Sequence, residues 1–323
     1  MAITKFADMV IVPEHFTTYV NERTTEKSAL VQSGVATPDA RVAQVINGTP
    51  QGGNMITMPF YKPLSGDDEI FGEDALTPDG VQTGNERATL LIRQKAWGAT
   101  DLARVKGGSD PMAAIMNMVS DWWLEREQAI FISVLKGLFG ASGVLATNHM
   151  LDISTQSGAA AMIGVDATLD AKNLMGDAYD KITAVAMHSA TYTKLQKQQK
   201  IETVYSSDLK VDIDTYLGYR VIVDDSMPVN SGVYDTYLIG AGAFTRDSGT
   251  PDGLISTETD RDKLKAEDFL INRKAFVLHP NGVSFKGTPT KAYATNQDLE
   301  TASNWELVKG AKNVPIVCLR HKI

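Results

Sequence analysis

The chain has 323 residues, 43% of them hydrophobic, enough to bury a substantial core in one elaborate domain or two ordinary ones. Its formal net charge of −8 argues against a dedicated nucleic-acid reader, whose phosphate affinity comes from clustered Lys and Arg, and leaves only weak, local contact with DNA. A single cysteine, Cys318, gives neither an intramolecular disulfide nor a zinc site by itself, and no run approaches the roughly 18 apolar residues that cross a bilayer; with no charged-then-apolar leader either, the expectation is a globular protein of a reducing cytosol with no membrane contact.

Residues 1–44 mix turn and cap residues with moderate apolar content, interrupted at Pro13 and Pro38, and read as an N-terminal arm with one short helix. From Val45 to Asp101 glycine and proline are frequent, yet the runs MITMPFY (55–61) and TLLIRQKAW (89–97) favour strands. Two strands parted by a long polar tip predict an extended hairpin. That tip is acidic, with Asp67, Asp68, Glu69, Glu73, Asp74, Asp79 and Glu86 against Lys62 and Arg87. A two-stranded ribbon is marginal in water and cannot build its own core, so this one requires a partner surface. The residues that would meet it are Pro59, Phe60, Tyr61, Asp67, Asp68, Glu69, Phe71 and Arg87.

The strongest helix signal follows. Asp110 as N-cap and Pro111 at the first helical position open a run over 110–137, ending near Lys136 before Gly137 and Gly140. Apolar residues at 112, 115, 116, 119, 122, 123, 130, 131, 134 and 138 form its stripe. About 26 residues at about 1.5 Å each make a rod of roughly 39 Å, a spine. A Gly/Ala/Ser/Thr-rich interval over 140–166 leads to a second helix over 168–180. Then come a strand from Ile182, a helix over 189–197 capped by Ser189, and strands over 219–223 and 234–240. Residues 246–268 are polar and charge-mixed and predict a surface loop, before late strands at 274–278 and 313–320.

No assembled active site is legible. His15, His149, His188, His279 and His321 are scattered, with no two on one helix face, and read as surface or individually hydrogen-bonded residues rather than metal ligands. The carboxylate clusters Asp67-Asp68-Glu69, Asp212/Asp214 and Asp224-Asp225 read as turn residues rather than a cation site. The stretch GAGAF (240–244) has Thr245 where a dinucleotide loop needs its third glycine. Trp122 and Trp123 read as packing anchors on two sides of the spine, and Lys194, Lys197 and Lys200 as a solvated helix face. No catalytic residue, cofactor or metal is therefore expected, and the protein is not expected to be an enzyme.

Four local patterns in order resemble the tailed-bacteriophage major capsid protein family of the Hong Kong phage type. They are PEHFTTYVNERTTEKSALVQSG (13–34), AVAMHSATYTKL (184–195), LGYRVIVDDSMP (217–228) and YLIGAGAF (237–244). The resemblance covers nearly the whole chain. It implies an α+β phage major capsid fold divided into an N-terminal arm (1–44), an extended β-hairpin loop or E-loop (45–101), a peripheral domain with the spine helix (102–180), an axial α/β domain (181–273) and return strands (274–323). It implies a virion subunit, assembled in the host cytoplasm as hexamers and pentamers of an icosahedral shell around double-stranded DNA. Scaffolding, portal and cement proteins are the further partners implied. Some members lock the shell by a Lys–Asn bond; Lys62 is the lysine such a bond would use, and nothing in its surroundings marks it as reactive. Because the resemblance begins within the first residues, no cleaved leading segment is expected. The alternatives are an encapsulin-like compartment, which shares the fold but encloses cargo enzymes, and a cytosolic α/β enzyme with its ligand half at 182–243.

Overall fold

The computed structural model describes residues 34–48, 53–70, 79–102, 111–206 and 211–323. Most of the expected arm, the tip position Phe71, the cap Asp110 and His15 therefore lie outside the described residues. In chain order the elements are β1 (Ala36–Thr37), α1 (Ala40–Asn47), β2 (Met55–Tyr61), β3 (Thr83–Thr89), β4 (Leu91–Thr100), α2 (Pro111–Phe139), β5 (Met150–Asp152), α3 (Val165–Asn173), β6 (Ile182–Met187), α4 (Ser189–Lys197), β7 (Ile201–Ser206), β8 (Val211–Tyr216), β9 (Tyr219–Val223), β10 (Val229–Asn230), β11 (Val233–Gly240), β12 (Phe244–Gly249), β13 (Thr257–Asp262), β14 (Glu267–Pro280), β15 (Val283–Phe285), α5 (Asn296–Glu300), β16 (Trp305–Leu307) and β17 (Ile316–Lys322).

An eight-stranded mixed sheet runs β5-β17-β11-β6-β9-β8-β7, with β10 beside β11. The inner stretches of its central strands, Ala184–Met187, Tyr237–Ile239 and Ile316–Leu319, are continuously apolar because both faces are covered. In β17, Ile316 and Cys318 join the core that contains the C-terminal half of α2, while Val317 and Leu319 face a second core with Ala171 of α3 and Leu195 of α4. Phe139 of α2 packs against Tyr237 of β11 with ring centroids 5.6 Å apart.

The second sheet is organised by β14, which is continuous across 273/274. One edge pairs first with β13 and then with β12, and β4 runs along the other. Ala275 and Val277 face α1 and the hairpin root; Leu270 faces the N-terminal half of α2. The helix is riveted to this strand by polar contacts as well. Trp123 Nε1 donates to Asn272 Oδ1 at 2.6 Å, and buried Glu127 receives both Lys274 of β14 and Arg246 of β12. Burial alone would raise the Glu127 carboxyl, but the two cations outweigh it and hold it below the ordinary range.

Several expectations require correction. The partner of β2 is β3, not the run at 89–97: Met55 sits opposite Thr89 and Tyr61 opposite Thr83, while residues 91–100 belong to the second sheet. The polar segment TGNERAT gives no strand signal of its own, and pairing makes it a strand. The interval 246–268 is not a loop; β12 and β13 account for much of it, because β14 offers them a ladder and Arg261 bonds Asp268 at 2.7 Å and Asp101 at 2.6 Å. Helix α2 continues through Gly137 to Phe139. Gly137 is a close-approach residue rather than a stop, since a Cβ there would lie 2.1 Å from the Leu299 carbonyl and 2.6 Å from Trp305 Nε1. The second helix is Val165–Asn173, followed by a separate 3-10 turn opened by Gly176 at φ +57°. His188, not Ser189, caps α4, its Nδ1 accepting from the Ala190 amide. The last strand begins at Ile316 rather than 313. Asp214 is a strand residue, accepting from Tyr192 and Thr203, whereas Asp224 does serve a turn by accepting from the Ser226 amide.

Candidate functional site

The hairpin of β2 and β3 is the candidate site, and its register explains its behaviour. Directly opposed residues in an antiparallel pair share a face. Ile56 and Ala88, Met58 and Glu86, and Phe60 and Gly84 therefore form three successive rungs on one side. The first rung is buried against Val42, Ile46, Ala275 and Val277, with Met58 of the second rung in the same cluster. The third ends the contact: the Phe60 ring lies across Gly84, where an added Cβ would sit 2.6 Å from it.

On the middle rung, Glu86 is only 3% exposed, so it is not part of the acidic tip to which the composition assigned it. One carboxylate oxygen accepts from His279 Nε2 at 3.1 Å and from the Gly282 amide at 2.9 Å; the other meets Lys309 Nζ at 2.6 Å. Burial by itself would raise this carboxyl, yet the three donors prevail and bring it down to about 2. No sequence signal marks Glu86, His279 or Lys309 as partners, because the inward position of Glu86 follows from a register that only the folded pair defines.

Beyond the third rung every described residue of the ribbon is exposed, from Tyr61 to Ile70 and from Asp79 to Thr83. Pro59, Asp67, Asp68, Glu69 and the Arg87 side chain are exposed too, while Phe60 is half-buried. The Arg87 amide donates to Ser284 Oγ at 3.0 Å, tying the outer edge of the root to β15. The tip is not only acidic. Tyr61 is 77% exposed, Leu64 80%, Ile70 94% and Val81 61%, so large exposed apolar side chains are interspersed with carboxylates along the described part of the tip.

Elsewhere, two of the histidines are hydrogen-bonded to strands of the large sheet. His149 Nδ1 lies 2.9 Å from the Ile316 carbonyl, and His321 Nε2 2.9 Å from Thr236 Oγ1. Trp122 packs edge-on against Trp97 of β4, and Trp123 is buried against β14, the two sides expected of the pair. Gly240 and Gly242 serve the turn into β12: Gly240 lies against the Lys181 carbonyl and Pro315, and Gly242 holds φ +65°. Among the described residues no group of three or more His, Cys, Asp or Glu is placed to hold a metal ion.

These features can be set beside known proteins. The model of the Gp13-like family, described as "Major capsid protein 13-like", matches residues 128–315, more than half of the chain. The major capsid protein of Bacillus phage SPP1 is 38% identical over 331 residues, covering 100% of this chain and 99% of that protein. The chain belongs to the Gp13-like major capsid protein family. Solved capsids share the fold of this phage major capsid protein at low identity. The capsid of Ralstonia phage GP4 aligns with a TM-score of 0.55 at 9% identity, covering 91% of this chain and 88% of that one. The cyanophage Pam1 capsid gives 0.54 at 11% identity, covering 93% and 92%. The α+β phage capsid fold inferred from the four sequence patterns is thus the fold observed, and as a phage capsid protein the Gp13-like chain is a virion component.

Proposed function

We propose that this major capsid protein builds hexamers and pentamers of an icosahedral shell around double-stranded DNA, with the β2–β3 ribbon of each copy lying on its neighbour. The observation that carries this reading is a ribbon exposing Tyr61, Leu64, Ile70 and Val81 beyond a clamped root. Such apolar surface gains about 25 cal/mol per Å² when covered, and heterologous contacts whose rotation closes cover it in every copy of a ring. In this reading Pro59, Phe60, Tyr61, Asp67, Asp68, Glu69, Phe71 and Arg87 meet the neighbouring subunit. The acidic members set register and encounter rate more than affinity. The long α2 becomes the spine of a peripheral domain over residues 102–180, residues 181–273 the axial domain, residues 274–323 its return strands, and residues 1–44 an arm. Assembly takes place in the host cytoplasm, with scaffolding, portal and cement proteins as further partners, non-specific DNA contact and no catalysis.

The test is electron microscopy of the full-length protein together with a photo-crosslinking residue at Leu64 or Ile70. Shells or capsomer rings with a ladder of covalent multimers are expected. A monodisperse monomer, or assembled rings lacking any crosslink from either position, overturns the reading.

A further inference from the structure

We infer that Lys309, acting through Glu86 and Phe60, is a positioning residue that determines where the ribbon leaves the body of the subunit. Among the described residues, Lys309 meets the ribbon at the rung of Phe60 and Gly84, where the ribbon's burial ends. Its ammonium lies 2.6 Å from Glu86 on β3 and 5.2 Å from the centre of the Phe60 ring on β2, so one cation holds both strands. The base of this side chain is fixed in turn. The Val308 and Lys309 amides both donate to the Gly282 carbonyl, at 3.0 and 3.1 Å, while the Gly282 amide donates to Glu86. Gly282 itself holds φ +91°, with Val314 against the space a Cβ would take.

The clamp therefore closes a loop: β3 to the β14–β15 corner, the corner to Lys309, and Lys309 back to both strands of the ribbon. The groups facing Glu86 are His279 from β14, the Gly282 amide and Lys309, with Arg41 of α1 adding its charge from farther off. Without the ammonium, the rung of Phe60 and Gly84 loses its tether, and the pivot retreats to the rung of Met58 and Glu86, which His279 and the Gly282 amide still hold. The projecting arm lengthens by one rung and gains freedom of direction. This builds on the reading of the ribbon as the element that reaches a neighbour, but the two are tested by different readouts.

The experiment is hydrogen exchange on the unassembled full-length subunit, following peptides that contain residues 55–61 and 83–89, with shell yield measured in parallel. Lys309→Met is the first variant, since this side chain is a third exposed and its loss leaves Glu86 two donors. Glu86→Gln is the second, and Lys309→Arg tests rescue. Exchange in both ribbon peptides is expected to quicken on the order of tenfold in Lys309→Met, with peptides of α2 unchanged and Lys309→Arg restoring protection. Unaltered ribbon exchange in both Lys309→Met and Glu86→Gln overturns the clamp, whatever the shell yield. A loosened ribbon with undiminished shell yield upholds the clamp and counts against the ribbon as the assembly element.

Discussion

Along α2, buried side chains recur from Val119 to Phe139; along the ribbon, burial ends at the rung of Phe60 and Gly84. Both elements are long and both carry acidic residues. The difference is where the acids sit. Glu127 and Glu86 are each buried against cations from β12, β14 or the chain after β16, whereas Asp67, Asp68 and Glu69 are exposed. A buried charge demands its partners and so rigidifies its surroundings, while a solvated one imposes no geometry. One subunit thus combines a long buried helix with an exposed ribbon, the combination that the proposed shell requires of identical chains meeting at slightly different angles.

That contrast can be broken by substitution. Trp123→Ala removes a fully buried indole and its bond to Asn272, and about 3–5 kcal/mol of subunit stability is expected to go with it in chemical denaturation. Glu127→Gln leaves Lys274 and Arg246 buried side by side with no anion between them; a loss of about 3 kcal/mol follows, and an unaltered midpoint would show the rivet to be dispensable.

Acid provides a test at the root of the ribbon. The Glu86 carboxyl falls from 4.5 to about 2 on folding, so its contribution is complete above pH 4.5 and disappears as the pH drops toward 2. The full shift corresponds to roughly 3 kcal/mol. Glu86→Gln should flatten the stability profile in that window and leave it unaltered at neutral pH apart from a constant offset.

Smaller effects sharpen the comparison. Gly137→Ala forces α5 and Trp305 away from α2, and overpacking of this kind costs about 1–3 kcal/mol, readable as a lower Tm. At the other extreme, Ile70→Ser should change subunit stability by less than about 0.5 kcal/mol, because that side chain is 94% exposed, while diminishing shell yield. A large stability loss there would mean that the tip is folded onto its own subunit.

The amino-acid sequence by itself determined the long helix, the α4 segment, the buried strands β6, β9, β11 and β17, and the existence of a polar projecting hairpin. These rest on local signals: a 3.6-residue stripe, cap residues, apolar runs and the clustering of Gly and Pro. Only the tertiary structure decided which strand closes the hairpin, that residues 246–268 are largely sheet, that Gly137 lies inside a helix, and that Glu86 belongs to the root rather than the tip. Each of those depends on a ladder, a close approach or a charge partner supplied from elsewhere in the chain, in the case of Glu86 and Lys309 from more than 200 residues away. A polar strand such as TGNERAT carries no preference that reveals its pairing, and the side on which its glutamate falls is set by register, which exists only between two strands.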